Sequence, residues 1–327
     1  MRFGLFVSAQ YPAGEDPAAR LAEHLEQVRL VRDAGFHSVF AGQHFLPAPF
    51  QMLQSVPLLA RLAAETGDMR VGAGILLLPL LNPVEVAEHA ATLDVLTGGR
   101  FVLGVGLGYR AEENAAFGVP DDRVRVFREK LAVVKGLLEG DEVTAGGDGY
   151  RLERARLAPL PLASPRPPIW MAANADSAVR RAARLADTWF VNPHASLAEV
   201  ERQLALFRAE RGSEPDELPM LREACVARTD EEAAAVARPY LARKYEAYVD
   251  WGQSDVLPPT DTLRRGWDAL HAGRFLLGAP ETVLERIGAL RALGVTELVL
   301  RVQWPGLPQR DAMRTLELLA GEVLPRA

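Results

Sequence analysis

The sequence predicts a closed eight-stranded α/β barrel, and three observations lead to this fold class. Short apolar runs alternate with helical patterns along the whole chain of 327 residues. These runs are continuously hydrophobic, which is typical of parallel strands covered on both faces. Eight such units in about 300 residues suit a (β/α)8 TIM barrel. An open, doubly wound sheet remains the alternative, because it shows the same alternation.

The predicted strands are short apolar runs bounded by turn residues. In chain order they are Arg2–Ser8, Ser38–Ala41, Arg70–Leu77, Phe101–Gly106, Pro168–Ala172, Thr188–Val191, Leu218–Ala227 and Glu297–Trp304. Amphipathic stretches between them predict helices over Pro17–Ala34, Met52–Glu65, Pro83–Leu96, Asp121–Glu139 and Ser177–Ala186. Gly35 and Gly294 each stand between a helical pattern and a strand, where glycine adopts the left-handed conformation that ends a helix.

Two segments interrupt this alternation. Residues 142–162 are rich in glycine and proline and predict an insertion after the fourth strand, for which a hairpin is one interpretation. Residues 239–274 are rich in aromatic side chains and predict an insertion after the seventh strand. Long irregular segments in compact domains often cover an active site, although plain packing over the barrel mouth explains the aromatics equally well. No linker separates two domains, so we expect one domain over 1–327.

The composition excludes several classes of protein. The chain has 37 basic and 43 acidic residues, a formal net charge of −6, which argues against binding to nucleic acid. The single cysteine, Cys225, excludes an intramolecular disulfide or a thiolate metal cage. No apolar run reaches the roughly 18 residues of a membrane span, and the N-terminal stretch turns polar after one strand's length. We therefore expect a cytoplasmic protein without nucleic-acid or membrane partners.

His44 is the strongest candidate for catalysis. In a TIM barrel the chemistry lies at the C-terminal ends of the strands, and His44 alone among six histidines stands at such a strand exit. Histidine is the usual proton donor or acceptor near neutral pH. The competing interpretation is a structural histidine satisfied by local hydrogen bonds. The other histidines are scattered, so the sequence predicts no metal site.

Two turns are suited to a ligand. Residues 106–111 formally match the G-x-G-x-x-G/A pattern, but three predicted strands precede them, which argues against a Rossmann loop. Their glycines still allow a flat or phosphorylated ligand to approach the backbone. Ala173–Ala175 lead into a helix whose N-terminus is either an anion site or an ordinary capped end. Glu112 and Glu113 are interpreted as part of a first helical turn.

Several segments resemble the bacterial luciferase-like flavin-dependent oxidoreductases. They are "RFGLF", "GFHSVFAGQHF", "VGAGILLLPLLNPVEVAEHAATLDVLTGGRFVLGVGLGYRAEE", "RPPIWMAANADSAVRRAARLAD" and "FLLGAPETVLERI". The resemblance covers nearly the whole chain and is weakest over 195–274. It implies a barrel that binds flavin at its C-terminal mouth, with His44 as the active-site histidine.

The resemblance also implies a set of cofactor-binding residues. Gly74 and Ile75 match the family's non-prolyl cis peptide beneath the flavin ring, and Ala173, Asn174 and Ala175 match the turn that holds the phosphate. The remaining implied cofactor contacts are Gln43, Leu107, Gly108 and Tyr109.

The sequence departs from the luciferase pattern at three of these positions. Leu107 replaces an arginine of the luciferase catalytic subunit and Asn174 replaces a glutamate. We therefore expect backbone N–H groups or Arg110 to contribute more to phosphate binding. Gln43 stands where an acidic residue often precedes the histidine, and we do not expect light emission.

The function implied first is a monooxygenase that uses reduced FMN, supplied by a separate reductase, and molecular oxygen. One alternative is hydride transfer with the deazaflavin coenzyme F-420, and another is a flavin-binding protein without catalysis. We expect a small or medium organic substrate that contacts Ser8, Gln10, Phe45, Phe50, Arg301, Gln303 and Trp304. Arg301 suits either a carbonyl or anionic group of the substrate or an internal ion pair. A homodimer is implied, with Met52–Glu65 and Pro83–Leu96 as candidate interface helices.

Overall fold

The fold is known from a computed structural model that describes residues 1–264, 266–271 and 273–327. Its strands are β1 Arg2–Val7, β2 Gln10–Pro12, β3 Ser38–Ala41, β4 Phe50–Met52, β5 Arg70–Ala73, β6 Leu76–Leu77, β7 Phe101–Gly106, β8 Val143–Gly147, β9 Tyr150–Ala155, β10 Ile169–Ala173, β11 Thr188–Val191, β12 Pro219–Val226, β13 Leu276–Gly278 and β14 Glu297–Arg301. Its α-helices are α1 Pro17–Asp33, α2 Ser55–Ala63, α3 Pro83–Leu96, α4 Ala111–Ala116, α5 Arg123–Leu138, α6 Asp176–Leu185, α7 Leu197–Arg211, α8 Asp230–Asp250, α9 Trp267–His271, α10 Pro280–Ala292 and α11 Gln309–Leu318.

Eight parallel strands of the described chain close into a barrel, with helices around it. Going round the barrel, the order is β1, β3, β5, β7, β10, β11, β12 and β14, and β14 pairs with β1. The barrel closes because β7 pairs with β5 on one side and with β10 on the other, where Leu103 lies opposite Ile169. The predicted TIM barrel is therefore confirmed, and the open-sheet alternative is wrong.

The predicted strands are present in the structure, but several begin or end at other residues than predicted. The third is divided into β5 and β6 by the peptide bond between Gly74 and Ile75, which is cis. The eighth ends at Arg301, three residues before its predicted end, because the chain turns away from the sheet there. The two helix-ending glycines adopt positive φ angles of 80° at Gly35 and 93° at Gly294, as expected for left-handed caps.

The interior of the barrel is filled by large apolar side chains that form their own cluster. Its members are Phe6, Phe40, Val102, Trp170, Phe190, Leu221 and Val299, with Ile75 packed against them. Such a layered filling makes the barrel a packed core rather than a pore. Gly72 is needed for this packing, since a Cβ atom there would lie 2.1 Å from Cε1 of Phe40. These rings fill the barrel below its C-terminal mouth.

Both insertions are present, but the second begins later than predicted. The first contains the antiparallel hairpin of β8 and β9, within 142–162. In the second, residues 239–250 belong to α8, which continues through Pro239. Proline lacks an N–H donor and usually disrupts the interior of a helix, but α8 continues through it and buries Ala237 and Leu241 on either side. Positions 265 and 272 of the predicted insertion lie outside the described residues.

Short elements escaped prediction because they carry too few residues for a pattern. They are β2 and β4, which pair with each other, and β13, which pairs with the C-terminal end of β12. Met52, expected to start a helix, is the last residue of β4. No helix in the described part of the chain is long and apolar enough to cross a membrane.

Candidate active site

A cavity of about 760 Å³ lies at the C-terminal ends of the barrel strands. This size is within the range of roughly 300–1,000 Å³ for small-molecule sites. Residues on or directly after every barrel strand line it, and residues 253 and 255–259, which follow α8, lie along its wall. The predicted site residues that line it are Ser8, Gln10, Gln43, His44, Gly74, Ile75, Leu107, Gly108, Tyr109, Ala173, Asn174, Ala175 and Arg301.

Four of the predicted substrate contacts do not line the cavity. They are Phe45, Phe50, Gln303 and Trp304. Phe45 packs on Phe117, with ring centroids 4.5 Å apart. Phe50 packs edge-on against Trp251 at 5.9 Å. Both side chains follow the loop after β3 away from the cavity.

Gln303 and Trp304 follow β14, and their side chains form hydrogen bonds behind the cavity wall. The side-chain oxygen of Gln303 accepts a hydrogen bond of 2.7 Å from Gln27 of α1. The indole N–H of Trp304 donates to Oε2 of Glu223 at 2.6 Å. Both residues lie beyond the end of β14, and Arg301, the last residue of that strand, is the one of the three that reaches the cavity.

His44 is held by a buried carboxylate. Its Nδ1 lies 3.0 Å from Oε1 of Glu113, and the same oxygen accepts the backbone N–H of Phe45 at 2.8 Å. The guanidinium of Arg110 lies 3.5 Å from that oxygen and places a positive charge beside it. A carboxylate accepts hydrogen bonds, so Nδ1 of His44 is the donor of this contact and Nε2 is the ring nitrogen left for a ligand. A histidine oriented in this way can exchange a proton with a bound molecule.

Glu113 was missed as a functional residue. Its surroundings in the sequence, "RAEEN", were correctly interpreted as the start of a helix, which is α4. Nothing in the sequence shows that the second of two adjacent glutamates is buried while Glu112 stays exposed. Its position three residues after Arg110 was the available signal, because that spacing allows an ion pair on one helical face.

Arg110 is part of the support of His44, not of an anion site. Its guanidinium donates to the carbonyl oxygens of Phe45 at 2.7 Å and Leu46 at 3.1 Å, and it pairs with Glu112 at 2.8 Å. It also lies 4.3 Å from the ring centroid of Trp251, a cation–π contact. These contacts occupy the guanidinium, and Arg110 does not line the cavity. Contrary to expectation, Arg110 is therefore not placed to bind a phosphate there.

Aromatic rings surround His44. The ring of Trp251, directly after α8, lies 5.3 Å from that of His44, and Tyr109 lies 5.8 Å away on another side. Tyr248 stacks on Trp251 at 5.3 Å and donates its hydroxyl to Oε1 of Gln10 at 3.1 Å. The segment that the sequence interpreted as either a cover or plain packing therefore contacts the candidate catalytic histidine directly.

Glycines on β7 make room for a side chain under the cavity. Ile75 lines the cavity floor, and a Cβ atom at Gly106 would lie 2.3 Å from its Cδ1. A Cβ atom at Gly104 would lie 2.0 Å from the carbonyl oxygen of Ala73. The glycine pattern of this strand is therefore a packing requirement of the Gly74–Ile75 segment, and it leaves a smooth apolar surface suitable for a flat ring. Gln43 fixes the same segment by accepting the N–H of Leu77 at 3.0 Å.

The opposite part of the wall combines an uncapped helix start with an arginine, which suits an anion. Helix α6 begins after Ala175 without a side-chain cap, so its first N–H groups are available to a ligand. Arg181, one and a half turns into α6, lines the cavity and forms no ion pair with any residue the structure describes. Asp176 does not oppose an anion here, because Arg202 and Gln203 bind its carboxylate, and this holds its pKa below the ordinary value.

Arg123 and Ser177 also line this part of the cavity. Arg123 starts α5 and donates to the carbonyl oxygen of Gly108 at 3.2 Å, which keeps its charge at the cavity wall. None of these three residues, Arg123, Ser177 and Arg181, was singled out from the sequence. The signal that could have found Arg181 is its spacing of about one helical turn and a half from an uncapped helix start.

An ionic cluster lies at a third part of the wall. Arg301 lines the cavity and donates to Oε1 of Glu223 at 3.0 Å. Lys244 of α8 contacts the same oxygen at 2.5 Å. Both interpretations of Arg301 are thus compatible with its position, since it pairs internally and also faces the cavity. Among the described residues no cluster of three or more side chains is suited to a metal ion.

Comparison with known proteins agrees with this architecture. The family model for luciferase-like monooxygenases matches residues 1–297. The oxygenase component of a flavin-dependent trigonelline monooxygenase from Acinetobacter baylyi is 25% identical, over 99% of this chain and 95% of that protein. An FMNH2-dependent dimethylsulfone monooxygenase from Pseudomonas putida is 30% identical, over 76% of this chain and 72% of that protein.

Relatives with another cofactor are found as well. An F-420-dependent glucose-6-phosphate dehydrogenase from Beutenbergia cavernae is 29% identical, over 100% of this chain and 97% of that protein. Among solved structures, a monooxygenase from Streptomyces bottropensis has the same fold, with a TM-score of 0.84 and 24% identity over 99% of both chains. Because the family model spans most of the sequence, the chain belongs to the luciferase-like monooxygenase family.

Proposed function

We propose that this protein is a monooxygenase that uses reduced FMN and molecular oxygen on a small or medium organic substrate. The observation that carries the proposal is one cavity lined both by His44, oriented by Glu113, and by the anion-binding start of α6. A phosphorylated cofactor requires the second feature, and acid–base chemistry beside it requires the first. The similarity to a flavin-dependent monooxygenase and to an FMNH2-dependent one supports the choice of cofactor.

The residues present fit FMN. The N–H groups at the start of α6, with Ser177, Arg181 and Arg123, would hold its phosphate, and the turn of Ala173, Asn174 and Ala175 would place it. Ile75, Leu107 and Gly108 offer an apolar surface for its ring. The buried hydroxyl of Tyr109 has no hydrogen-bond partner among the described residues and suits a polar edge of the cofactor. Reduced flavin, when bound, supplies the electrons that activate molecular oxygen.

The chain's own residues would supply proton transfer and exclusion of water. His44 presents the lone pair of Nε2 to the cavity, while Glu113 keeps its ring in one tautomer and stabilises its protonated form. Trp251 and residues 255–259 would limit access of water from the mouth, which protects a reactive oxygenating species from loss. Ser8, Gln10 and Arg301 are the remaining predicted substrate contacts.

The wider biochemical context is also a proposal. We infer that a separate reductase supplies the reduced flavin, because a similar protein is the oxygenase component of such a system. We expect a homodimer in the cytoplasm. Helices α2 and α3 stay the candidate interface, and Val95 and Leu96 at the end of α3 are exposed apolar residues. Light scattering on the purified protein measures its molar mass in solution, which tests the dimer.

The decisive experiment is a titration of the purified protein with FMN, reduced FMN and coenzyme F-420, each followed by fluorescence. Aldehydes and ketones, with and without a carboxylate, are then screened with reduced FMN and ¹⁸O-labelled oxygen. Micromolar binding of FMN and incorporation of one labelled atom support the monooxygenase. Binding of F-420 alone, with hydride transfer that is indifferent to oxygen, would replace it by the deazaflavin alternative. A bound flavin without turnover would support the non-catalytic alternative.

A further inference from the structure

Arg301, a buried cation that shares its carboxylate partner with a second cation, faces the cavity. Lys244 and Arg301 contact the same oxygen, Oε1 of Glu223, at 2.5 Å and 3.0 Å. The other carboxylate oxygen accepts the indole N–H of Trp304. Two positive charges therefore share one negative charge, and all three side chains are at least nine-tenths buried. A buried excess charge is costly unless a counter-ion compensates it.

Only one of the two cations can offer its charge to a ligand. Arg301 lines the cavity, whereas Lys244 lies behind it and is fully buried. The guanidinium of Arg301 lies 4.3 Å from the ring centroid of Phe6, and its Nε has no hydrogen-bond partner among the described residues. Donors of Arg301 are thus left over after its bond to Glu223.

The neighbouring groups bear no compensating negative charge. His194 lines the same cavity and is buried, and its Nδ1 lacks a partner among the described residues. Burial and the cations Lys244 and Arg301 hold the pKa of His194 well below its ordinary value, so the ring is neutral. Tyr248 is also neutral, because burial raises the pKa of its hydroxyl. The positive potential at this part of the wall is therefore not cancelled locally.

We propose that this part of the cavity binds the carboxylate of an organic acid substrate, with Arg301 as its charged partner. The positive excess at this part of the wall favours an anion, and a guanidinium fits a carboxylate in geometry. The walls beside it are Phe6, Phe190 and Leu221, which suit a short apolar body between the carboxylate and the reacting atom. This inference rests on the proposed function for the reaction itself, and it adds the substrate class.

The test compares carboxylates with neutral molecules of the same shape. A panel of aliphatic and aromatic carboxylates, each paired with its primary amide, is titrated calorimetrically into the FMN-loaded and the flavin-free protein. Measurement at pH 6.0 keeps Lys244 mostly charged beside Arg301, since burial lowers the pKa of Lys244 to about 7. We expect carboxylates that fit the cavity to bind about 10-fold or more tightly than their amides.

Two variants with the same change of charge separate the roles. Arg301→Met leaves Lys244 and Glu223 as a balanced pair, and Lys244→Met leaves Arg301 and Glu223 as one, so both keep the buried carboxylate compensated. We expect Arg301→Met to abolish the preference for carboxylates. Lys244→Met removes the same excess charge but leaves the guanidinium that faces the ligand, so it should reduce the preference by less than Arg301→Met does. Thermal unfolding of both variants confirms that they are folded.

Three results would overturn the proposal. They are equal binding of carboxylates and amides, no binding of any carboxylate in the panel, or an unchanged preference in Arg301→Met together with weaker FMN binding. The last result would assign the charge to the flavin instead of the substrate. A failure of the proposed function is distinguishable, because it appears as absent FMN binding while the flavin-free protein still discriminates between carboxylate and amide.

Discussion

Oε1 of Glu113 lies 3.0 Å from Nδ1 of His44, although the two residues are 69 positions apart in the chain. The pair joins the end of β3 to the start of α4, and both side chains are largely buried. This contact turns a histidine at a strand exit into an oriented acid–base group, because it leaves only Nε2 free to face the cavity. The first two predictions test this pair.

Glu113→Gln should lower turnover about 10-fold while FMN affinity stays the same. The amide keeps the shape and can still accept a hydrogen bond, but it removes the negative charge that stabilises a protonated ring. The measurement is the rate of product formation with the best substrate of the carbonyl screen. Glu112→Gln, which removes a charge at the exposed neighbour, is the matched control and should retain the rate. Equal loss in both variants would contradict a specific role of Glu113.

His44→Ala should reduce turnover by about 100-fold or more without loss of bound flavin. The ring is the candidate proton donor and acceptor, and its removal leaves the phosphate-binding end of the cavity untouched. Steady-state rates and fluorescence titration with FMN measure the two effects separately. An unchanged rate would exclude His44 from the mechanism, and a parallel loss of FMN binding would make its role structural.

Arg181→Gln should weaken FMN binding about 10-fold and leave riboflavin binding unchanged, because only FMN carries the phosphate. The neighbouring Arg180 pairs with Glu210 at 3.1 Å and does not line the cavity, so Arg180→Gln is the matched control. Fluorescence titrations with both flavins give the affinities. The same loss for FMN and riboflavin would show that Arg181 does not bind the phosphate.

Trp251→Ala should lower the yield of product per reduced flavin oxidised by roughly twofold or more. The indole covers His44 and Arg110, and its removal opens the mouth of the cavity to water. Trp251→Phe keeps an aromatic ring there and loses only the hydrogen bond to the carbonyl oxygen of Ala48, so its yield should stay close to that of the native protein. Unchanged yields in both variants would leave this tryptophan as simple packing.

His24 should make the fold sensitive to acid. Burial lowers the pKa of its ring from 6.5 to about 4, and its Nε2 lies 3.0 Å from the hydroxyl of Tyr11. Between these values the unfolded chain binds a proton that the folded chain does not, so the free energy of unfolding falls as pH falls from 6.5 to 4.

Denaturant unfolding across this range measures the pH slope. His24→Gln should reduce it by up to one proton, whereas His89→Gln, at an exposed position of α3, should leave it unchanged. The slope is the informative quantity, because the substitution itself also changes stability at every pH. Identical slopes in the native protein and His24→Gln would show that the ring is not excluded from protonation by folding.

The barrel and most of the residues at its mouth can be predicted from patterns along the chain. Continuous apolar strands and the glycines that end the helices depend on local physics, which a single chain reveals. The position of His44 at a strand exit then implied where it would lie, because all parallel strands of a barrel end on one side. The predictions for Phe45 and Phe50 were less accurate, because they lie in and at the end of the loop after β3, where the direction of a side chain depends on contacts distant in sequence.

Which charged groups act together depends on the folded chain. Glu113 and Arg181 look like ordinary helical residues in the sequence, and Lys244, Glu223 and Arg301 are far apart along the chain. Their significance lies in burial and in shared partners, which arise when α4, α6, α8 and the strand ends converge on one cavity. Periodicity reports which face of an element is apolar, whereas the balance of charge inside a cavity is a property of the closed barrel alone.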